Sequence, residues 1–386
     1  AGASPGRGSG WAAMDTVDLA IVGAGPAGAA AALAARRADP AARVVLLDRA
    51  SFPRDKVCGD GIAPHAVDVL AALGAADAVG GYHPVNRLRV RSAGGRTALR
   101  TLARPDHVVP RAVLDARLVA AAQRAGAELW RWRVRHVAVE ADRVVLDGAV
   151  AARAVVGADG AHSAIARAVG ARRHAGRDLA VALRAYAPAP AGPPCQDIAF
   201  VAADRPSYAW SFPIGDGRVN VGYGARADRL SVGRGGLLAR LESALGPTGL
   251  EPATVRGHLL PLSTGRPAPA EGRVLLAGDA AGLVNPLSGE GIYYAVASGA
   301  LAGAAALGPR PAVRYARDLR RLLGRHLRHT ALLARLLEAP AVAEAGIAAA
   351  ARQQGPFDDV VEVAIGAGTL TPRLAAATAR ELVGGR

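Results

Sequence analysis

The sequence predicts a mixed α/β (α+β) protein, in which a strand–loop–helix domain is interrupted by an antiparallel sheet and followed by helices. Residues 17–28 read as an apolar strand that runs into a glycine loop and an alanine-rich helix, and residues 272–308 show the same order. Between them, residues 86–104 and 176–262 contain alternating runs broken by Gly and Pro, which is typical of antiparallel strands. From about Pro311 onward the apolar residues are spaced as in helices.

The first glycine loop, GAGPAG at residues 23–28, has the pattern of a dinucleotide-binding turn. Gly23 permits the tight turn, Gly25 lets the backbone approach a pyrophosphate, and Gly28 lets the helix pack closely on the strand. The phosphates would then lie at the positive end of the helix dipole. The next strand ends at Asp48, where an acid binds ribose hydroxyls in Rossmann-like domains. The predicted contacts are Gly23, Gly25, Pro26, Ala27, Gly28, Asp48 and Arg49.

The second glycine loop narrows the choice of cofactor. It lies in GRVLLAGDAAGLVNPLSGEGIYY, from Gly272 to Tyr294. A second strand that ends in Gly278–Asp279 is what a flavin enzyme adds to a dinucleotide site. Together the two loops predict a Rossmann-like domain that binds FAD.

Composition limits the class of protein. The 386 residues suffice for one large domain or two coupled domains. Only Cys58 and Cys195 are present, so we expect no disulfide framework and a cytoplasmic location. The longest apolar candidate, residues 291–308, is mostly Ala and Gly and predicts a buried helix, not a membrane span. Residues 1–13 lack a signal-peptide core and indicate a disordered extension or a cloning remnant.

The basic charge of the chain favours an acidic partner other than nucleic acid. The formal net charge is +15, and Lys56 is the only lysine among the 47 Lys and Arg residues. Aromatic residues are few and do not alternate with the basic ones, so no base-stacking platform is expected. Diphosphates and anionic lipid headgroups are the partners that such a surface attracts.

The predicted elements divide the chain into three parts. The FAD-binding domain is assigned to residues 14–85, 105–175 and 265–310, the substrate-binding domain to 86–104 and 176–264, and the C-terminal helical region to 311–386. Within the substrate-binding domain, Gly94–Gly95 predicts the turn of a hairpin.

Five sequence elements identify the protein family more specifically than composition does. The first four are GAGPAG at 23–28, PRDKVCGDG at 53–61, GADGAHS at 157–163 and GDAAGLVNPLSGEGI at 278–292. The fifth is Tyr208-Ala-Trp210-Ser-Phe212-Pro213, followed by Gly222-Tyr-Gly224. From Val17 to about residue 330, the chain thereby resembles the geranylgeranyl reductase family, within the flavoproteins that include the aromatic hydroxylases. The second and fifth elements favour the prenyl reductases, whereas the other three are shared with hydroxylases.

The resemblance implies how FAD is held. Asp279 would bind ribityl or ribose hydroxyls, Arg111 would lie near the flavin and adenosine, and the turn at Asp159–Gly160 would brace the pyrophosphate. For both aspartates the alternative is a turn or cap role. Backbone N–H groups at the start of the last Rossmann helix would stabilise negative charge on the reduced flavin during catalysis. These N–H groups belong to Gly289, Glu290, Gly291 and Ile292.

Lys56 and Cys58 are the candidate catalytic side chains. With Gly59, they lie in the loop that the resemblance places against the flavin. Lysine offers a compact charge with a tunable pKa. Cys58 would either donate the proton of an alkene reduction or shape the flavin face. The alternatives are a solvated surface lysine and a small buried thiol, and Cys195, in a proline-rich loop, has no assigned partner.

Three alternating aromatic residues are the candidate substrate contacts. Tyr208, Trp210 and Phe212 would share one face of a strand, and they would form an apolar wall for a polyprenyl chain if that face meets the flavin. The resemblance adds Pro213, Gly222 and Gly224 to this site. The alternative is an ordinary sheet core, which is the usual place for aromatic residues at period two.

The stretch YARDLRRLLGRHLRHTALLARLLEA predicts a basic amphipathic helix. Leu319, Leu323 and Leu327 recur every four residues among Arg and His. This helix would either contact an anionic membrane peripherally, at its inner face, or pack its leucines on its own domain. His326 and His329 lack Cys or carboxylate companions, so we expect no metal site.

The leading hypothesis is an FAD-dependent reductase that saturates C=C bonds of an isoprenoid chain. The substrate would be geranylgeranyl diphosphate, a prenyl lipid or the menaquinone side chain, and an external donor, NAD(P)H or a ferredoxin-type protein, would reduce the FAD. The alternatives are a class A flavin monooxygenase acting on an aromatic or polyketide substrate, and a flavin- or lipid-binding module without chemistry. The sequence leaves open the electron donor, the number of double bonds and the oligomeric state.

Overall fold

The structure is a computed structural model that describes residues 14–264 and 271–384. The predicted extension at residues 1–13 and the first residues of the segment 265–310 lie outside this range. In chain order the strands are β1 (Asp15–Val22), β2 (Val44–Asp48), β3 (Gly61–Ile62), β4 (Val85–Arg91), β5 (Thr97–Val108), β6 (Glu128–Arg131), β7 (Val137–Val139), β8 (Val144–Leu146), β9 (Val150–Gly157), β10 (Leu179–Pro188), β11 (Gln196–Phe200), β12 (Ser207–Pro213), β13 (Arg218–Arg226), β14 (Arg256–Pro261) and β15 (Val274–Leu276). The α-helices are α1 (Pro26–Ala38), α2 (Pro64–Ala72), α3 (Arg111–Arg124), α4 (Ala164–Ala168), α5 (Arg234–Leu245), α6 (Ile292–Ala306), α7 (Pro311–Leu336), α8 (Pro340–Arg352), α9 (Gln354–Ile365) and α10 (Pro372–Gly384).

The first sheet carries both glycine loops at one edge. Its strand order is β6-β2-β1-β9-β8-β7, with β15 also paired to β9. Strands β1 and β15 both run parallel to β9. Because the carboxyl ends of parallel strands meet at the same edge, the loops that follow β1 and β15 are brought together there. The predicted mixed α/β fold class is confirmed.

The second sheet has the order β14-β10-β13-β12-β11-β4-β5-β3 and is antiparallel except where β11 meets β4. The predicted hairpin is confirmed as β4 and β5, with Gly95 at a φ of +87° in the turn. Helix α5 differs from the prediction, which placed only strands in this part of the chain. Leu237 and Leu241, one helical turn apart, are buried and pack with strands β10 and β13. The division into a cofactor domain and a substrate domain stays a prediction.

The described part of the C-terminal region is helical, as predicted, and consists of α7–α10. Leu319, Leu323 and Leu327 of α7 are buried in the same core as the first sheet. This leucine stripe therefore packs on its own chain, which was the second of the two alternatives. Helix α6 is the predicted buried helix, and none of the helices described is both long and apolar enough to cross a membrane.

Helices α1 and α6 pack backbone against backbone. A Cβ atom placed on Gly299 would lie 2.1 Å from the Ala27 carbonyl oxygen, and one on Gly303 would lie 2.0 Å from that of Ala31. Atoms this close must move apart, and here the neighbour is main chain that cannot rotate away. The two helices that follow the glycine loops are therefore held at a distance that only glycine permits.

We expect Gly303→Ala to lower the melting temperature, because the added methyl group forces α1 and α6 apart at a cost of about 1–3 kcal/mol. Gly346→Ala is the matched control. It lies inside α8 with no atom within 4 Å of the added methyl, so it should leave stability unchanged or raise it by up to about 1 kcal/mol. Thermal unfolding followed by circular dichroism measures both, and equal melting temperatures would contradict the close contact.

Candidate active site

A cavity of 680 Å³ extends from the glycine loops, past the second sheet, to the C-terminal helices. Pro26 and Asp279 line its first part, Trp210 and Phe212 line its wall, and Ile347 and other residues of α8–α10 line the rest. Most of these side chains are apolar, which is typical of a binding site for a large apolar molecule.

The end of the cavity beside Gly25 is suited to a diphosphate. Gly23 adopts a φ of +98°, a region that favours glycine, and its missing side chain leaves room for the Ala158 carbonyl, 2.3 Å from where a Cβ would lie. Helix α1 begins after Gly25, and no side chain of the described residues caps it, so its first N–H groups are free for an anion. Two guanidinium groups point to the same place. A Cβ on Gly25 would lie 3.5 Å from Nη2 of Arg54 and 3.8 Å from Nη2 of Arg111.

Asp115 positions both guanidinium groups. It is fully buried and accepts hydrogen bonds from Nε and Nη2 of Arg111 at 2.7 and 2.8 Å. Its second oxygen also pairs with Arg54 Nη1 at 3.0 Å. Burial opposes the charge of Arg111, but Asp115 outweighs burial and raises the Arg111 pKa. Sequence reasoning missed Arg54 and Asp115. The available signals were the PRDKVCGDG motif for Arg54 and the i,i+4 spacing of Arg111 and Asp115.

Asp48 and Asp159 brace the loop that begins at Gly23. Asp48 accepts hydrogen bonds from the N–H groups of Ala24 and Ala50 at 2.8 and 2.9 Å. Asp159 accepts from Ser163 Oγ at 2.5 Å, so it has the turn role considered as an alternative. Its Cα would lie 2.9 Å from a Cβ on Gly23, so the Asp159–Gly160 turn packs directly behind the loop. Arg49 is exposed just after β2. Contacts of Asp48, Arg49 and this turn with a cofactor stay predictions.

Lys56 pairs with Asp279 and is not a solvated surface lysine. The Lys56 Nζ lies 3.3 Å from Oδ2 of Asp279, and His258 Nε2 lies 3.9 Å from the same oxygen. Burial alone would raise the pKa of Asp279, but the charge of Lys56 and the nearby His258 ring lower it below its usual range. Asp279 is therefore a carboxylate, a good acceptor for ribityl or ribose hydroxyls. The preceding turn is fixed by the Gly278 N–H, which donates to Ser298 Oγ at 2.9 Å.

Cys58 is half-buried and lines the cavity. Burial raises the pKa of its thiol, although the nearby charge of Arg111 opposes the shift, so the group is a thiol at neutral pH. It is not in a disulfide, and Cys195 is also free. Asn220 Nδ2 donates to both the Cys58 carbonyl and Asp60 Oδ2, each at 2.8 Å. These bonds attach the loop of Cys58 to strand β13.

The aromatic residues of β12 share one face, as predicted, and that face lines the cavity. The ring centroids of Tyr208 and Trp210 are 5.9 Å apart, and those of Trp210 and Phe212 are 6.5 Å apart. A Cβ on Gly222 would lie 2.1 Å from Cζ2 of Trp210, so this glycine makes the space that the indole occupies. Gly224 is close to the same ring, and Pro213 ends the strand. Gly59 lies against the aromatic face, because a Cβ atom placed on it would be 3.4 Å from Phe212 Cε2.

The turn before α6 uses part of its own hydrogen-bonding capacity. The N–H of Gly289 donates to the Asn285 carbonyl at 2.9 Å, and the N–H of Glu290 donates to Ser288 Oγ at 3.2 Å. The Glu290 carboxyl accepts from the Tyr293 N–H at 2.7 Å and so covers the start of the helix. Two of the four predicted N–H groups therefore stabilise the turn itself. A role for Gly291 and Ile292 toward the flavin stays a prediction.

The two histidines of α7 have structural partners. His326 is buried between the Tyr294 hydroxyl at 2.8 Å and the Gly368 carbonyl at 2.6 Å. His329 Nδ1 accepts from the Leu370 N–H at 3.1 Å. These bonds connect α7 to the segment between α9 and α10, and no cluster that could hold a metal ion occurs among the residues described.

Comparison with known proteins identifies the family of this chain. The FAD binding domain family matches residues 16–303. A menaquinone reductase of Mycobacterium tuberculosis is 36% identical over 317 residues, covering 75% of this chain and 76% of that protein. Digeranylgeranylglycerophospholipid reductase 1 of Methanopyrus kandleri is 31% identical, covering 75% and 80%. A geranylgeranyl bacteriochlorophyll reductase-like protein of Thermoplasma acidophilum has the same fold, with a TM-score of 0.79 at 20% identity and coverage of 97% and 99%.

The fold, the two glycine loops and the matched FAD binding domain define an FAD-dependent oxidoreductase. The uncapped start of α1 and the paired guanidinium groups beside Gly25 fit the diphosphate of that cofactor. Its similarity to these reductases shows that the chain belongs to the geranylgeranyl reductase family of flavoproteins.

We expect Gly25→Asp to abolish FAD binding while the protein stays folded. The backbone at Gly25 is extended, with a φ of −73°, so any residue fits, and the new carboxylate would take the place of phosphate between Arg54 and Arg111. Gly233→Asp makes the same change at the start of α5, where no atom lies within 4 Å, and should keep FAD. Flavin absorbance of the purified proteins measures how much FAD each retains. A Gly25→Asp variant that still binds a full equivalent of FAD would contradict the assignment of the diphosphate site to Gly25.

Proposed function

We propose that this enzyme reduces C=C bonds in an isoprenoid chain. The observation that carries the proposal is the continuity of one apolar cavity from the cofactor loops to the C-terminal helices. A polyprenyl chain is long, flexible and without polar groups, so it gains about 25 cal/mol for each Å² that such a cavity buries. The prenyl reductases among the relatives support this substrate class.

The cavity divides into a polar end and a long apolar remainder. The polar end has Arg54 and Arg111 for the diphosphate of FAD and Asp279 for its hydroxyls. Bound FAD supplies the hydride for alkene reduction, after an external donor such as NAD(P)H or a ferredoxin-type protein has reduced it. The remainder is walled by the β12 aromatic residues and by apolar side chains of α8–α10. Examples are Ile347, Ala350, Phe357, Val361, Leu374 and Leu382.

The aromatic wall would hold the reacting double bond. Phe212 and Trp210 lie against Gly59, beside Cys58, in the loop at the polar end of the cavity. Their fixed positions on a strand would keep the alkene in one orientation and exclude water from it. Cys58 would shape this surface with a neutral, polarizable side chain.

Exposed apolar side chains at the C-terminal end of the cavity support a peripheral membrane contact. Leu336 of α7 lines the cavity and is 44% exposed. Leu332 and Val383, which are next in sequence to the lining residues Leu333 and Leu382, are 49% and 77% exposed. Exposed leucine and valine beside arginines such as Arg328 and Arg335 suit an anionic lipid surface. We propose that the enzyme collects its lipid substrate there, at the inner face of the membrane.

The test is anaerobic reduction of the purified holoenzyme, followed by addition of geranylgeranyl diphosphate or menaquinone. We expect the flavin to be reoxidised and the prenyl chain to gain two hydrogens for each double bond, as read by absorbance and mass spectrometry. No reoxidation by either lipid, with oxygenation of an aromatic or polyketide compound once oxygen and NAD(P)H are supplied, would replace the proposal with the monooxygenase.

We expect Ala343→Trp to reduce turnover of long prenyl substrates much more than that of short ones. Ala343 of α8 lines the cavity, so an indole there would block the path of a long chain. Ala341→Trp is the matched control, because Ala341 is exposed on the same helix. Rates with geranyl, farnesyl and geranylgeranyl substrates measure the effect, and equal losses for all chain lengths would contradict a cavity that holds the chain along α8.

A further inference from the structure

Four acidic side chains line the largely apolar cavity, and two of them, Asp106 and Glu290, form no ion pair among the described residues. The other two are engaged: Asp279 pairs with Lys56, and Glu344 accepts from the Gly94 N–H at 2.8 Å.

Glu290 lies in the turn before α6, and Asp106 lies near the end of β5, in the second sheet. Gly289, beside Glu290, lies against Tyr208, whose hydroxyl would be 2.9 Å from a Cβ there, and His107, beside Asp106, pairs with Ile62 of β3. Both carboxyl groups therefore lie near the loop of Cys58. The substrate class proposed above has no positive charge for them to bind.

Asp106 is the more enclosed of the two. It is 6% exposed, and its Oδ1 atom is buried without a hydrogen-bond partner among the described residues. An ionised carboxylate with an unused oxygen in an apolar site is costly, because nothing replaces the water it has lost. A neutral carboxyl group carries a much smaller penalty there. The geometry therefore favours a protonated Asp106.

Glu290 is half-buried and lines the cavity. Burial raises the pKa of Glu290 to about 7, even though the Tyr293 N–H and the charge of Arg111 favour its ionised form. Burial likewise raises the pKa of Asp106 to about 7, and the charge of Glu290 raises it further, against a hydrogen bond from Gln196. The proton state of Asp106 therefore depends on the charge of Glu290.

Groups from several elements face this pair. They are Arg111 of α3, His65 of α2, Cys58 of the 53–61 loop, Tyr208 of β12 and Tyr294 of α6. Burial raises the pKa of Cys58, Tyr208 and Tyr294, so all three are neutral and weak acids near neutral pH. A general acid works best with a pKa near the working pH, and among these acids the carboxyl pair meets that condition.

We propose that Glu290 and Asp106 form a carboxyl pair that donates the proton of the reduction to the substrate alkene. This inference rests on the proposed function. In the step, a carboxyl O–H bond breaks and a C–H bond forms at one alkene carbon, at the expense of the C=C π pair. The other alkene carbon would take the hydride that reduced FAD would supply when bound, so both carbons would become saturated. The pair is left with one more negative charge and regains a proton from solvent.

The first measurement is single-turnover reduction of a prenyl substrate by the reduced holoenzyme across pH. In the wild-type enzyme the rate should fall as pH rises through about 7, because the acid form is present below its pKa and is lost above it. Glu290→Gln and Asp106→Asn should each be about a hundredfold or more slower at pH 7 and should lose this pH dependence. Gln retains an oxygen to accept the Tyr293 N–H, and Asn has the shape of Asp, so FAD content and melting temperature should be kept.

Two comparison variants separate this role from other causes. Glu242→Gln makes the same change on the exposed face of α5 and should match the wild-type rate at every pH. Cys58→Ser changes the shape of the site but should keep the wild-type pH dependence of the rate. If instead Cys58→Ser loses that dependence and both carboxyl variants keep it, the thiol is the acid and the carboxyl pair is not.

The second measurement does not depend on turnover. Infrared difference spectra of the holoenzyme against pH should show a protonated carboxyl band that titrates near pH 7 and loses most of its intensity in the Glu290→Gln, Asp106→Asn double variant. The remainder belongs to Asp60, whose pKa burial raises to about 6. A band that is absent from the wild-type protein, or unchanged in the double variant, overturns the carboxyl pair, even where prenyl reduction is observed. Absence of prenyl reduction in a wild-type protein that shows the band overturns the proposed function, and with it the donor role.

Discussion

The close packing of α1 on α6 is the constraint on which the site depends. Gly299 and Gly303 let α6 pack directly on α1. Cβ atoms placed on these glycines would lie only 2.1 and 2.0 Å from carbonyl oxygens of α1. Each helix follows one glycine loop, and the loops are far apart in the sequence. The helix contact therefore fixes the distance between the diphosphate end and the turn that carries Glu290. A change in that contact would separate the two halves of the cofactor site without altering any residue in it.

A second set of contacts joins the second sheet to the loop at residues 53–61. Trp210 donates from Nε1 to Asn220 Oδ1 at 2.9 Å, and Asn220 donates in turn to the Cys58 carbonyl and to Asp60. The aromatic wall and the loop near the cofactor are thus parts of one hydrogen-bonded unit. Gly222 belongs to the same unit, because its missing side chain leaves room for the indole. This gives a physical reason for the YxWxFP…GxG signature and the PRDKVCGDG loop to occur in one chain.

The sequence was sufficient for what local patterns encode. The strand–loop–helix order predicted the first sheet, and the period-two aromatic residues predicted a shared face. It was not sufficient for contacts between distant segments. Asp106 and Glu290 are 184 positions apart, and nothing in the alternating pattern of β5 marks an aspartate that points into a cavity. Helix α5 was missed because Gly and Pro on either side resemble strand breaks, whereas its leucines form a helical stripe only over two turns.

The apolar cavity sets the terms for any chemistry inside it. Hydride transfer to an alkene benefits from the exclusion of water, but the same exclusion removes the solvent as an immediate proton source. The protein must then supply the proton from a group that is stable in its uncharged form within the cavity. Arginine and lysine fail this condition, and a buried thiol holds its proton too tightly near pH 7. A carboxyl group whose pKa burial has raised is neutral before it reacts, and neighbours such as Arg111 stabilise it afterwards. The desolvation that makes the cavity suitable for a prenyl chain is thus the same effect that turns ordinary acidic residues into proton donors.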